Sequence, residues 1–164
     1  MIKKKICMLG SFAVGKTSLV QQFVNSIFSE KYHTTIGVKI DQKNVLIDGN
    51  EVTLMLWDIH GEDEFQKVKP AYIMGSAGYF IVMDGTRRNS IETGLELQKM
   101  VEKTIGRVPF IILINKADLQ DSWEISNEDI QQLKSMGKEV MLTSAKTGDA
   151  VEDAFIKLTR LMLK

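Results

Sequence analysis

Short runs of hydrophobic residues alternate with longer amphipathic stretches along most of this chain. The apolar runs include KKICMLG, GYFIVMDGT, PFIILINKAD and EVMLTSAK. Between and after them, TSLVQQFVNSIF, SIETGLELQKMVEKTI, NEDIQQLKSMG and VEDAFIKLTRLMLK have the hydrophobic spacing of helices that bury one face. Buried strands that alternate with helices predict an α/β fold, in which helices cover both faces of a mostly parallel sheet.

One pair of predicted strands is joined by a tight turn instead of a helix. The runs VKIDQKNVLID and EVTLMLWDI meet at Asp48, Gly49 and Asn50. Aspartate, glycine and asparagine between two strand-like runs are typical of a hairpin. The sheet is therefore expected to contain one antiparallel pair.

Length and composition narrow the classes of protein that fit. The 164 residues show no repeat, low-complexity tract or linker, which predicts a single domain over residues 1–164. Lysine plus arginine (21) balances aspartate plus glutamate (21), so nothing favours nucleic acid or anionic lipid as a partner. The single cysteine, Cys7, lies in an apolar run and fits a reducing compartment.

The sequence predicts no direct membrane anchor. No apolar run approaches the length that spans a bilayer. Position 2 is isoleucine, which excludes myristoylation, and the final residues TRLMLK contain no cysteine to prenylate. These features predict a cytoplasmic protein without direct attachment to membranes.

The segment GSFAVGKTS, Gly10–Ser18, lies between the first predicted strand and the first predicted helix. Its G-x-x-x-x-G-K-T spacing is typical of a phosphate-binding loop, in which glycines let the backbone turn its N–H groups inward and the helix dipole attracts an anion. Lys16 would supply a cation to the β- and γ-phosphates, and Thr17 a hydroxyl to Mg²⁺. The residues expected to line the phosphates are Ala13, Val14, Gly15, Lys16, Thr17 and Ser18.

Two further loops follow buried strands and suggest a guanine site. NKAD, residues 115–118, ends the run PFIILI, and Asp118 would accept hydrogen bonds from the N1–H and N2 amine of guanine, groups that adenine lacks. A site whose polar group is left unpaired by the wrong base can prefer the correct base by a factor of about 10⁴. TSAK follows the last predicted strand, and its backbone would reach the base oxygen. Alone, these motifs also fit a capped turn and an ordinary helix start. The loop residues included in the site are Ser144, Ala145 and Lys146.

A fourth motif, WDIHGEDEF, ends the second hairpin strand. Its D-x-x-G spacing would place Asp58 near Mg²⁺ through water and would let the Gly61 N–H approach a γ-phosphate. In isolation the same spacing fits an ordinary turn, so its meaning depends on the phosphate loop that precedes it.

Together with KYHTTIGVK, LWD and TSAKTGDAVEDAF, these motifs resemble those of Ras-superfamily small GTPases over essentially the whole chain, with most similarity to the Rab branch. The resemblance implies a three-layer αβα P-loop NTPase fold with a six-stranded sheet and five helices. It also implies a switch that binds GTP or GDP with Mg²⁺ and hydrolyses GTP. Effector, exchange and activating proteins would read it through two loops, at about 29–40 and 58–73.

The resemblance assigns roles to individual residues. Thr35 would reach Mg²⁺ and the γ-phosphate, and Phe28 would pack its edge on the guanine. Asn115 would brace the phosphate loop, Lys116 would lie over the base, and the Ala145 N–H would contact the base oxygen. The implied metal site consists of Thr17, Thr35 and Asp58. The implied catalytic group consists of Lys16, Thr35, Gly61 and Glu62.

The chain departs from the family pattern at positions that affect hydrolysis. Glu62 replaces the glutamine that orients the attacking water, and Phe12 stands where the family has a small residue. Glu62 keeps acceptor oxygens but lacks the amide donor, so we expect slow hydrolysis, with a general-base role for Glu62 as the alternative. A GTP-binding scaffold with negligible hydrolysis is the second function that fits these two departures.

The arginines decide against a third class, the phosphate-loop kinases. Such enzymes generally need an arginine-bearing lid, and none of the arginines lies in a plausible lid or in either switch loop; they are Arg87, Arg88, Arg107 and Arg160. Arg87 and Arg88, in MDGTRR, are expected to form a solvated turn.

Trp57 and Tyr72 match two of the three aromatic residues through which Rab proteins contact effectors, whereas the third position is Ile40.

Overall fold

The computed structural model describes residues 2–29, 37–59 and 68–164. Within these ranges six strands form one sheet in the order β2-β3-β1-β4-β5-β6. The strands are β1 (Ile2–Gly10), β2 (Val38–Ile47), β3 (Asn50–Ile59), β4 (Gly78–Asp84), β5 (Phe110–Asn115) and β6 (Val140–Leu142). Neighbours from β3 to β6 pair in parallel, and β2 pairs antiparallel with β3. The predicted sheet is therefore confirmed.

The hairpin between β2 and β3 closes at the predicted turn. Ile47 pairs with Asn50, so Asp48 and Gly49 are the two residues between the strands. Both have positive φ angles, 51° for Asp48 and 84° for Gly49. Two-residue hairpins of this kind need positive φ at both positions, which aspartate tolerates and glycine adopts without strain.

Helices cover both faces of the sheet. The described ranges contain five α-helices and one 3-10 helix: α1 (Lys16–Asn25), α2 (Pro70–Ile73), α3 (Asn89–Ile105), α4 (Asn127–Ser135), α5 (Val151–Met162) and the 3-10 helix Ala117–Ser122. Helices α1 and α5 pack on one face, and α2, α3 and α4 pack on the other. The predicted three-layer α/β architecture is confirmed. No helix in these ranges is long and apolar enough to span a bilayer.

Strands β4 and β5, and β1 from Ile6 onward, are mostly apolar because their side chains are buried on one face of the sheet or the other. In β1, Ile6 and Met8 join the core beneath α1 and α5, while Cys7 and Leu9 join the core beneath α3 and α4. Alternation along a strand directs successive side chains to opposite faces. The chemistry-bearing motifs follow the carboxyl ends of these parallel strands, so one edge of the sheet collects them.

Candidate nucleotide-binding site

The phosphate loop has a backbone conformation that depends on Gly15. Helix α1 begins at Lys16, directly after Gly15, whose φ is 104°. A Cβ at position 15 would lie 2.2 Å from Asn115 Nδ2. Glycine is needed here both for the left-handed φ and for the close approach of the Asn115 side chain. Ser18 lies in the first turn of α1, where free backbone N–H groups and the helix dipole favour an anion.

Asn115 joins the phosphate loop to the loop after β6. It is 2% exposed. Its Nδ2 donates to the Val14 carbonyl at 3.1 Å, and its Oδ1 accepts from Thr143 Oγ1 and from the Ala145 N–H, both at 3.2 Å. A single buried amide therefore sets the spacing between two loops that are far apart in sequence.

Lys16 carries a buried positive charge inside the loop. Its side chain donates to the Gly10 and Ser11 carbonyls at 3.1 Å each. Burial lowers the pKa of Lys16 to about 8, although nearby Asp58 raises it; Arg87 lowers it further. The Lys16 ammonium is buried and hydrogen-bonded only to neutral carbonyl groups, which destabilises its charged form. A bound anion would stabilise that charged form, so the buried lysine favours anion binding.

Thr17 and Asp58 form the part of the predicted metal site that the structure describes. The Thr17 hydroxyl donates to Asp58 Oδ2. Asp58 is 1% exposed, and its Oδ1 has no hydrogen-bond partner among the described residues. Burial raises the pKa of this carboxyl, against the lowering effects of Thr17 and Lys16. A hydroxyl beside a buried carboxylate oxygen fits a hard divalent cation such as Mg²⁺, which takes few protein ligands and keeps water and phosphate oxygens.

The residues predicted to bind the base lie on two adjacent loops. Lys116 has a φ of 71°, and its Nζ donates to Asp84 Oδ2 at 2.7 Å and to the Ala13 carbonyl at 3.3 Å. Asp118 is exposed, with Oδ1 accepting from Ser144 Oγ at 2.7 Å. One oxygen of the Asp118 carboxylate is thus fixed by Ser144, which orients the group. Lys146 is exposed on the same loop.

Comparison with known proteins shows which family the chain belongs to. A sequence model described as the Ras family matches residues 5–164. The chain is 33% identical over 161 residues to Ras-related protein Rab-21 of Dictyostelium discoideum, covering 97% of this chain and 76% of that protein. It is 36% identical over 169 residues to the Ypt/Rab-type GTPase YPT7 of Saccharomyces cerevisiae, covering 98% and 81%.

The chain belongs to the Ras family. It is a Rab-like small GTPase, as the motifs predicted. Proteins of this type are guanine-nucleotide switches that bind GTP and GDP and act with regulator and effector proteins, and this coarse description applies to the chain.

Several predicted site residues of this Ras-family GTPase are not joined to the arrangement described above. Thr35, Gly61 and Glu62 lie outside the described residues, so their roles remain predictions. Phe28 lies beyond the end of α1 and is 39% exposed. No hydrogen bond or ring contact joins it to Lys116 or Asp118 in the described part of the chain, and its place beside the base also remains a prediction.

Asp84 is a site residue of the GTPase that the sequence interpretation missed. It ends β4 and is fully buried. Its carboxylate accepts from Lys116 Nζ, from the Thr86 backbone and hydroxyl at 2.8 and 2.7 Å, and from Arg87 Nε at 3.2 Å. Burial alone would raise the pKa of Asp84, but the bonds from Lys116 and Thr86 hold it below its usual value. An aspartate at the carboxyl end of a buried strand is the signal that could have found it.

Trp123 is a second missed residue. Its indole Nε1 donates to the Lys116 carbonyl at 2.8 Å. Its ring occupies the space beside Gly85, where a Cβ would lie 2.0 Å from Cε2. Trp123 therefore supports the backbone of Lys116, and Gly85 provides the space for it. No sequence motif marked this pair, because nothing local connects a tryptophan after the 3-10 helix to a glycine after β4.

The segment MDGTRR forms the expected turn, in which the side chains of Arg87 and Arg88 are 37% and 63% exposed, but both arginines also form ion pairs. Arg87 binds Asp84, and its Nη2 donates to the Phe12 carbonyl of the phosphate loop. Arg88 Nη2 donates to Asp129 Oδ1 on α4 at 2.7 Å. The two side chains point to different partners because adjacent residues project in different directions from the start of α3.

Proposed function

We propose that this Ras-family GTPase binds GTP and GDP with Mg²⁺, selects guanine through Asp118, hydrolyses GTP slowly, and signals through its loops at about 29–40 and 58–73. Residues 1–164 would act as one nucleotide-binding domain. The observation that carries the proposal is the Asn115 contact set, because it fixes a cationic phosphate loop at a set distance from two polar loops suited to a purine base.

The phosphates would lie against the backbone N–H groups of residues 13–18, at the start of α1. Lys16 would exchange its bonds to the Gly10 and Ser11 carbonyls for β- and γ-phosphate oxygens. Thr17 and Asp58 would hold Mg²⁺, directly and through water respectively, with Thr35 as the further predicted ligand. When bound, Mg²⁺ neutralises charge that develops on the phosphate oxygens.

The base would lie between Lys116 and the loop after β6. Asp118 would accept from guanine N1–H and N2–H, with its carboxylate oriented by the hydrogen bond from Ser144. The Ala145 N–H donates to Asn115 Oδ1 in this structure, so it would have to share or exchange that bond to reach the base oxygen as predicted. Hydrogen bonds to a charged group contribute about 1.5–3 kcal/mol each, so the pair at Asp118 accounts for strong selection.

Hydrolysis would be slow without a partner. A family member that lacks an arginine finger turns over at about 3–5 × 10⁻⁴ s⁻¹. Glu62 replaces the water-orienting glutamine, and an ionised carboxylate beside the γ-phosphate adds repulsion. Gly61 and Thr35 complete the proposed catalytic group with Lys16. A partner-free rate above about 10⁻² s⁻¹, the scale of relatives with an arginine in cis, would contradict slow hydrolysis.

Effector, exchange and activating proteins would contact a surface that borders both loops. Ile40 on β2 pairs in register with Trp57 on β3, and Ile40 is 45% exposed. Tyr72 follows on α2. Ile40 places an aliphatic side chain beside Trp57, where Rab proteins present an aromatic one to their effectors. We therefore propose that the effectors of this protein contact an aliphatic side chain at position 40.

Guanine selection is the direct test of this function. Calorimetry or nucleotide competition should show that the unmodified protein prefers GDP to ADP by about 10⁴. Asp118→Ala should lose about 3–6 kcal/mol of GDP affinity, because two charge-assisted hydrogen bonds disappear together. The matched control is Asp121→Ala, an exposed carboxylate in the same 3-10 helix, which should bind GDP normally. Equal GDP and ADP affinity in the unmodified protein would refute the proposal.

A further inference from the structure

Three consecutive backbone carbonyls of the phosphate loop, at residues 12–14, accept hydrogen bonds from side chains outside the loop. The donors lie at or just after the carboxyl ends of β4 and β5. The pairs are Arg87 Nη2 with Phe12, Lys116 Nζ with Ala13 at 3.3 Å, and Asn115 Nδ2 with Val14 at 3.1 Å. The outer side of the loop is therefore bonded, peptide by peptide, to two neighbouring strand ends.

These bonds set the direction of the N–H groups on the inner side of the loop. In a planar trans peptide, the carbonyl of one residue and the N–H of the next point in opposite directions. A side chain that holds the carbonyl of residue 12 from outside therefore turns the Ala13 N–H inward. The carbonyls of residues 13 and 14 do the same for the N–H groups of Val14 and Gly15. These three N–H groups belong to the set proposed to face the phosphates.

Arg87 is anchored to the sheet at the other edge of its guanidinium. Its Nε donates to Asp84 Oδ2 at 3.2 Å. Asp84 ends β4, is fully buried, and also accepts from Thr86 and Lys116. Because the donors of a guanidinium form a rigid planar fork, a bond at Nε fixes the direction of Nη2. The Phe12 carbonyl is thus held by a group whose own position is set by β4.

Ala13 has a backbone conformation that needs this support. Its φ is 61°, in the left-handed region, where the Cβ of alanine causes a steric clash that glycine avoids. The peptide groups on both sides of the Ala13 Cα are the two whose carbonyls bond to Arg87 and Lys116. Without these bonds alanine would favour a negative φ, and its N–H would turn away from the phosphates.

We propose that Arg87 is a positioning residue for the nucleotide: by holding the Phe12 carbonyl, it keeps the Ala13 N–H directed at the phosphates of GDP and GTP. This inference rests on the proposed nucleotide site. Arg87 acts through the backbone and does not contact the nucleotide, so it strengthens the binding of both nucleotides and leaves hydrolysis slow.

Nucleotide affinity gives the first test, with Arg88 as the matched control. Arg88 is adjacent and has the same charge, but its guanidinium bonds to Asp129 on α4 at 2.7 Å. GDP and GTP affinities and dissociation rates should be measured with Mg²⁺ for the unmodified protein, Arg87→Ala, Arg87→Lys and Arg88→Ala. A hydrogen bond to a charged acceptor is worth about tenfold or more in affinity. Since Lys116 and Asn115 still hold the neighbouring carbonyls, Arg87→Ala should weaken GDP and GTP binding by about fivefold each.

The two other variants sharpen this comparison. Arg87→Lys should fall between alanine and arginine, because one ammonium can bond to Asp84 or to the Phe12 carbonyl but lacks the fork that holds both. Arg88→Ala should resemble the unmodified protein. The Arg87 side chain is 37% exposed, so its truncation opens no buried cavity; if Arg87→Ala nevertheless fails to fold, Arg87→Lys supplies the same measurements.

The amide proton of Ala13 gives a second test, by NMR spectroscopy of the GDP complex. A hydrogen bond to a phosphate oxygen moves an amide proton downfield. In Arg87→Ala the downfield shift of the Ala13 proton should shrink, while that of Gly15 should persist, because Asn115 still holds the Val14 carbonyl. Equal losses at Ala13 and Gly15 would mean that Arg87 supports the loop as a whole, and would overturn the proposal.

The conformation of Ala13 gives a third test. Glycine adopts a φ of 61° without strain, so in an Ala13→Gly background the Arg87→Ala substitution should weaken GDP binding by less than about twofold. An equal penalty in both backgrounds would overturn the role assigned to Arg87, and so would unchanged GDP affinity with an unchanged Ala13 shift in the Arg87 variants. Failure of the unmodified protein to prefer GDP to ADP would instead refute the nucleotide site itself.

Discussion

Replacing Gly85 with alanine tests whether Trp123 controls the position of Lys116. A Cβ at residue 85 would lie 2.0 Å from Trp123 Cε2, 2.3 Å from Cδ2 and 2.4 Å from Nε1. These distances are too short for any contact, so the indole must move. Because Trp123 Nε1 is one of the crowded atoms, displacing the indole is expected to disturb its 2.8 Å hydrogen bond to the Lys116 carbonyl.

The expected loss of stability follows from these two effects. Overpacking of a tightly filled site costs about 1–3 kcal/mol. Loss of the indole hydrogen bond adds about 0.5–1.5 kcal/mol. Gly85→Ala should therefore lower the free energy of unfolding by about 2–4 kcal/mol. Backbone strain adds nothing to this loss of stability, because Gly85 is not among the residues with positive φ.

A double-mutant cycle separates this contact from other effects of the substitution. Urea unfolding should be measured at fixed, saturating GDP and Mg²⁺ for Gly85→Ala, Trp123→Ala and the double variant. With Trp123 removed, the three nearest atoms that a Cβ at residue 85 would meet are gone. Alanine there should then be neutral or stabilising by about 0.4–1 kcal/mol, because it restricts the unfolded chain. The coupling energy between the two sites should exceed about 2 kcal/mol. GDP should also dissociate faster from Gly85→Ala, since Lys116 is proposed to lie over the base. An identical penalty in both backgrounds would refute the reasoning.

Two further predictions concern the metal site and Asp84. Thr17→Ala should weaken GTP binding more than GDP binding, because only the triphosphate state adds the predicted Thr35 ligand; if EDTA leaves the rate of nucleotide release unchanged, the metal assignment fails. The pKa of Asp84 lies below its usual value despite burial, owing to bonds from Lys116 and Thr86, so its stabilising contribution is present above about pH 4 and is lost as pH falls through the folded-state pKa. Asp84→Asn should therefore reduce stability by about 2 kcal/mol at pH 7 and by much less at pH 3, as judged from urea midpoints; a penalty that does not change with pH would contradict this linkage.

The sequence predicted the fold class and the family because both depend on local patterns. Short apolar runs mark the buried strands and helical spacing marks the helices, and Asp48-Gly49 fits the two positive φ angles of the hairpin. The motifs at Gly10–Thr17 and Asn115–Asp118 follow buried strands, so a parallel sheet brings them to one edge. The roles of Thr35 and Glu62 rest on the resemblance alone, whereas that of Gly61 also rests on the D-x-x-G spacing, and all three remain predictions.

Only the tertiary structure decided which side chains support those motifs. The strand order places β4 between β1 and β5, which sets Asp84 between the phosphate loop and Lys116. The same order brings Arg87 to the Phe12 carbonyl. No periodicity encodes such a contact, since it depends on which strands become neighbours and on the direction of one flexible side chain. The sequence alone therefore determines that this chain has a phosphate loop. The packing of the sheet determines that Arg87 is the arginine whose side chain contacts the backbone of that loop.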